Sequence, residues 1–148
     1  MKNNRLPTTV AWLGYGGLIP FLGLALLIYL DPAHGAIYRA ALIAYGAVIL
    51  SFVGALHWAF AMILPMLSVK QRASSYIWSV VPALSGWVSL LLPLLPGSLL
   101  LMLLFALHYM LDRKLANQSN VPDWYLPLRL RLTTVAIASL GLGALTVL

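Results

Sequence analysis

Leu50-Ser51-Phe52-Val53-Gly54-Ala55-Leu56-His57-Trp58 lies in the second half of an apolar run from Ile37 to Leu64, and its reading decides the fold. In hydrocarbon an imidazole and a serine cost free energy unless they face protein or water, so this segment is expected to point inward with the other helices around it. On a helix, Ala47, Ser51, Gly54, Trp58 and Ala61 recur at spacings of four and three, with His57 on the flank of the stripe. One face is then small and polar and the other apolar.

The chain around this segment has the composition of a membrane protein. Of its 148 residues 62% are hydrophobic and 8% charged, with a mean hydropathy of +0.95, where soluble domains carry roughly a quarter charged residues. The absence of cysteine excludes disulfides, thiolate metal sites and cysteine nucleophiles. The net charge of +6 comes from nine basic residues scattered in short gaps between apolar runs, which argues for topology and against nucleic acid.

Working outward, the apolar runs predict an all-α integral membrane protein, a single-domain bundle of five transmembrane helices at about 8–30, 37–64, 75–95, 98–115 and 125–148. The first run exceeds the roughly 7 to 15 apolar residues of a signal peptide, so it reads as a retained helix. Pro20 is expected to kink it, and Gly16, Pro20 and Gly23 share a face that admits a close neighbour. In the third run Ser75, Ser79, Pro82, Gly86 and Ser89 form a small-residue seam. Its natural partner is the seam of Ser51 and Gly54, with serines bonding across. The fourth run is short from Ser98 to Leu111, and is expected to borrow Asp112 to Leu115 by snorkelling. In the fifth, Arg131, Thr134, Ala138 and Gly141 mark the expected buried face.

Five spans put the termini on opposite sides. Lys2, Arg5, Lys70, Arg72, Arg113, Lys114, Arg129 and Arg131 fall on one side, and only Arg39 on the other. The positive-inside rule therefore places the N terminus in the cytoplasm and the C terminus opposite. A bacterial inner membrane is the expected location, or the mitochondrial inner membrane in a eukaryote.

The groups able to do chemistry gather at the basic end. Asp112 sits near a helix C-terminus, where the dipole opposes a carboxylate, so it is expected to form a structural ion pair with Arg129. His57, Trp58, Trp78, Ser79, His108 and Arg129 are the candidate lining of a cavity in the cytoplasmic half, suited to a lipid, quinone or small amphiphile. Two histidines at similar depth on different helices also permit axial ligation of haem b by His57 and His108. Otherwise no cofactor is expected and no metal site, because no paired-histidine motif lies on one helix. There is no Glu, no Gly-rich phosphate loop and no G-x-S-x-G elbow, so no catalytic residue is assigned.

Three motifs in order carry a resemblance. Ser51 to Trp58, Trp78-Ser79-Val80-Val81-Pro82-Ala83-Leu84-Ser85-Gly86-Trp87, and Pro122 to Arg129 with Leu132-Thr133 resemble the bacterial relatives of transmembrane protein 69. The resemblance spans roughly Tyr45 to Thr134 and, with the first helix, nearly the whole chain. It implies a small multi-helix membrane protein with mitochondrial counterparts in animals, and carries no activity or catalytic residue. The expected function is non-enzymatic: an accessory, assembly or interaction subunit in a larger membrane complex or homo-oligomer. The alternative is a lipid, quinone or haem binding or transport module around His57, Trp58 and His108.

Overall fold

The computed structural model describes residues 5–117 and 121–146. The chain ends beyond them, with Lys2 of the charge count and the last residues of the fifth run, lie outside the described residues. Six helices form five rods: α1 Thr8–Gly16 with α2 Ile19–Leu30, then α3 Gly35–Ile63, α4 Val69–Leu91, α5 Leu94–Asn117 and α6 Tyr125–Leu145. The protein is an all-α membrane protein, four of whose rods are long and apolar enough to cross a bilayer. The fifth, α4, has 23 residues, a length of about 34 Å at 1.5 Å per residue, with a polar first two turns.

The α3 helix is the centre of the bundle, packed against α2, α4, α5 and α6. Leu42, Ile43, Ala47, Leu50 and Val53 on α3 meet Phe21 and Ile28 of α2, Leu101, Leu104 and Phe105 of α5, and Ala136 and Leu140 of α6. Against α4 the approach is closest at Gly54, where a Cβ would lie 2.8 Å from Pro82 Cβ and Cγ and 3.3 Å from the Ser79 carbonyl oxygen. A Cβ at Gly86 would lie 3.2 Å from the Ala47 carbonyl oxygen. Ser75, Ser79, Pro82, Gly86 and Ser89 are all buried on this side of α4, and Ser51 is half-buried on α3. The serines expected to bridge do something else. Ser79 and Ser89 donate to the carbonyls of Tyr76 and Gly86 in their own helix, both at 2.6 Å, hiding the hydroxyl locally and leaving the seam to van der Waals contact.

Other expectations shift for identifiable reasons. The first rod breaks at Gly17–Leu18, with Pro20 in the opening turn of α2, where its missing N–H is tolerated; Tyr45 donates its hydroxyl to the Gly17 carbonyl at 2.8 Å. Among the described residues no neighbour meets its small face, since a Cβ at Gly16 or Gly23 would have nothing within 4 Å. The α4 helix starts at Val69 rather than Ser75 because Ser68 and Gln71 form a reciprocal capping box. In α5, Pro96 and Gly97 belong to the first turn instead of the loop, so the helix runs 24 residues from Leu94 to Asn117 and takes in Asp112 to Leu115. On α6 the buried face is Leu128, Arg129, Thr133, Ala136 and Leu140. Arg131, Thr134 and Ala138 are exposed, and Thr134 donates to the Leu130 carbonyl at 2.8 Å.

At the end opposite the basic groups, Asp31 in the α2–α3 turn accepts from His34 Nδ1 at 2.8 Å and from the Tyr38 hydroxyl at 2.9 Å. The His34 bond first, and the Tyr38 bond second, hold its carboxyl below the usual carboxylate range. At the basic end, Arg72 of α4 donates to the Ala61 carbonyl and, at 3.0 Å, to the Leu64 carbonyl. A cation thereby closes the C-terminus of α3, where the dipole favours it.

Candidate functional site

Asp112 is the centre of a buried polar cluster drawn from four helices. It is 0% exposed and stands near the end of α5. Arg129 of α6 donates from Nε to Oδ2 at 2.7 Å, and His57 of α3 meets Oδ1 through Nε2 at 3.0 Å. A carboxylate only accepts, so that imidazole nitrogen carries the proton. His108, one turn before Asp112 on the same face of α5, is 0% exposed, with Nε2 3.6 Å from the same Oδ1. That is too long for a hydrogen bond and short enough for attraction.

Trp78 of α4 fixes the state of His108. Its indole Nε1 lies 3.0 Å from His108 Nδ1, with the two rings stacked at 16°. An indole N–H can only donate, so Nδ1 accepts and the ring carries its proton on Nε2, facing Asp112. Both histidines thus present N–H groups to one carboxylate oxygen while a guanidinium holds the other.

This arrangement decides what the cluster can bind. The ligand atoms of His57, His108 and Asp112 lie within 4.8 Å of one another, close enough for one ion. Ligation would need both Nε2 protons removed, the Trp78 bond broken, and a second cation accepted beside Arg129, which the buried carboxylate does not neutralise. Haem fits no better, because the His57 and His108 rings are 4.9 Å apart in edge-to-face contact, leaving no space for a macrocycle between them. The cluster is a hydrogen-bonded ion pair with two imidazoles.

Two residues expected in the lining stand apart. Trp58 is 50% exposed and packs edge-on against Tyr76, because His57 takes the inward position of the α3 stripe and turns its neighbour outward. Ser79 is committed to its own helix and touches the Gly54 seam instead of the cluster. Conversely, Tyr125 and Thr133 surround Arg129 unannounced: both are buried, and Phe60 stacks edge-on to Tyr125 at 5.6 Å. Their proximity to Arg129 on α6, at spacings of four either side, was the available signal.

A cavity of about 400 Å³ opens beside the cluster between α3, α4 and α5. Buried His57 and Ser75 line its inner part, Leu67, Trp78, Leu111 and Leu115 its apolar wall, and Lys70, Gln71, Ser74 and Lys114 its polar rim. Among the described residues, neither lysine is in an ion pair.

The family model described as Protein of unknown function (DUF3429) matches residues 6–145. The chain belongs to this family. It is 36% identical over 135 residues to Transmembrane protein 69 of Xenopus tropicalis, covering 90% of this chain and 53% of that protein. Against Transmembrane protein 69 of Mus musculus the identity is 28% over 134 residues, covering 90% and 54%. The chain spans about half the length of these curated relatives. No solved structure matches it.

Proposed function

We propose that the protein is a non-enzymatic binding module for an anionic amphiphile, whose phosphate-bearing head enters the cavity at the basic end of the bundle. The observation that carries this reading is the pairing of Lys70 and Lys114, two rim ammonium groups in no ion pair among the described residues, with an apolar wall of Leu67, Leu111, Leu115 and Trp78. The first turns of α4 also line the rim, so the partial positive charge of its N-terminus adds to theirs. Basic pockets between membrane helices at the cytoplasmic or matrix side suit acidic headgroups, with about 1 kcal/mol for each Lys near the surface. The charge bias supports the same leaflet, with the N terminus cytoplasmic in a bacterial inner membrane or in the matrix of a mitochondrion.

Lipid headgroups and soluble phosphate share this chemistry, and one experiment separates them. Protein reconstituted in nanodiscs of phosphatidylcholine with phosphatidylglycerol is re-extracted, and native mass spectrometry reads the retained lipid; a parallel arm titrates inorganic phosphate. Phosphatidylglycerol is expected to be retained over phosphatidylcholine, and Lys70→Gln with Lys114→Gln to weaken this on the order of 30-fold, from about 1 kcal/mol at each site. Phosphate alone binding would assign a soluble ligand. Equal retention of both lipids with no phosphate binding would overturn the reading. A stoichiometric protein co-purifying in its place would favour the accessory role.

A further inference from the structure

Another cavity is smaller, about 110 Å³, and is lined by Arg129 and by residues of α1, α2, α3, α5 and α6. Its walls are apolar, formed chiefly by Leu18, Phe21, Val53 and Phe105. Leu13 and Phe52 stand at its rim, 73% and 66% exposed on the outer surface of the bundle, so the mouth opens sideways toward lipid. At its inner end stand Arg129 and Thr133, one turn apart on α6.

Two atoms there are anomalous. Arg129 Nη2 and Thr133 Oγ1 are buried, and neither makes a hydrogen bond among the described residues. Arg129 Nε is engaged by Asp112 at 2.7 Å, while Nη2 on the same guanidinium is left over. Thr133 also departs from Thr134, Ser79, Ser89 and Ser98, which all return their hydroxyl to a carbonyl of their own helix. In hydrocarbon such donors are costly without an acceptor, and both belong to residues that line one cavity.

We infer that this cavity is a lateral binding site for a neutral lipophile with a carbonyl head, whose oxygen accepts from Arg129 Nη2 and Thr133 Oγ1 while its body lies along Phe21, Val53 and Phe105. Neutrality follows from the cluster: Asp112 already balances the Arg129 charge at 2.7 Å, so a second anion would enter without a counter-charge. Size limits the head to a single ring or an ester group, with any tail leaving past Leu13 and Phe52. The site goes beyond the anion cavity proposed above and rests on different residues.

Carbonyl-headed lipophiles include quinones and acyl esters, and two probes distinguish them: decylubiquinone and dioctanoylglycerol. Each is titrated into purified full-length protein in detergent, with binding read as a saturable rise in melting temperature and a single adduct by native mass spectrometry. Saturable binding of either probe is expected. Thr133→Val keeps the shape and removes the hydroxyl, and should weaken it about 3- to 10-fold, the worth of one hydrogen bond. Gly14→Leu adds a side chain at the rim, where a Cβ would sit in ordinary contact 3.4 Å from Leu132 Cδ1, and should abolish binding with the fold retained. Lys70→Gln with Lys114→Gln should leave it unchanged, whatever becomes of the anion cavity. Failure of both probes, binding of octanoate in their place, or Thr133→Val binding as the parent does would overturn the inference.

Discussion

Two aspartates, one at each end of the bundle, bond to histidine in nearly the same way, yet they belong to different physical regimes. Asp31 meets His34 at 2.8 Å with its side chain 38% exposed, on a turn three residues long. Asp112 meets His57 at 3.0 Å with its side chain 0% exposed, held between helices separated by 55 positions in sequence. Water screens the first pair and competes for both partners, so losing it releases groups into solvent. The second has no such exchange, since removing one partner strands charges and N–H groups in a low dielectric. Similar distances therefore report little about energetic weight, and burial decides it.

The largest effect expected from breaking this contrast is at Asp112. Asp112→Ala leaves the Arg129 guanidinium buried without a counter-charge and takes the acceptor from His57, which should cost about 3 to 5 kcal/mol, the usual consequence of removing one partner of a buried pair. Thermal melting in detergent and yield of folded protein measure it. Asp112→Ala with Arg129→Leu, which removes both charges, should recover part of the loss. A double variant no better than the single one would show that the pair is not what holds α5 to α6.

How much of this was visible beforehand follows from what each feature depends on. The central role of α3 and the Gly54 contact with α4 were legible, because hydrophobicity and small-residue spacing are local properties of one helix. The Asp112 to Arg129 geometry was also legible, since a carboxylate at a helix C-terminus needs a cation. The partners of His108 were not. Whether His57 or Trp58 turns inward depends on a rotation of α3 that the spacing of small residues leaves free by about one position, because the two are adjacent. On α6 the small and polar spacing of Arg131 and Thr134 pointed to one face and the expected Asp112 to Arg129 pair to another, and spacing alone does not rank the two. The Ser68 to Gln71 capping box was in plain view as S-x-x-Q, and a gap rich in charge concealed it.

A finer cut is made at Trp78, which touches Asp112 only through His108. Trp78→Phe preserves an aromatic ring against His108 and deletes the indole N–H, leaving Nδ1 buried without a donor at a cost of about 1 to 3 kcal/mol. The imidazole is then free to move its proton to Nδ1, so the loss should be accompanied by a changed His108 tautomer in nitrogen-15 NMR of the labelled protein. A loss of stability with the tautomer unaltered would mean that stacking, rather than the hydrogen bond, sets the ring. The effect should fall below that of Asp112→Ala, since no charge is exposed to the interior.

The smallest effect belongs to Asp31, and its value lies in its dependence on solution conditions. Because its carboxyl titrates below its ordinary value in the folded protein, the unfolded chain binds the extra proton first as pH falls. The contribution of Asp31 is then fully present above the ordinary carboxylate pKa of about 4 and disappears as pH drops through the lower folded value. Asp31→Asn should accordingly melt slightly below the parent at neutral pH, and the two melting temperatures should converge on acidification below about pH 4. Both partners being exposed, the neutral-pH gap should also shrink in 1 M salt, where the screening length is about 3 Å. Asp112→Ala should keep its deficit in the same salt, because ions do not reach a residue that is 0% exposed. A gap at Asp31 that persists at both low pH and high salt would mean that the turn relies on the shape of the side chain, with the Tyr38 bond, and not on its charge.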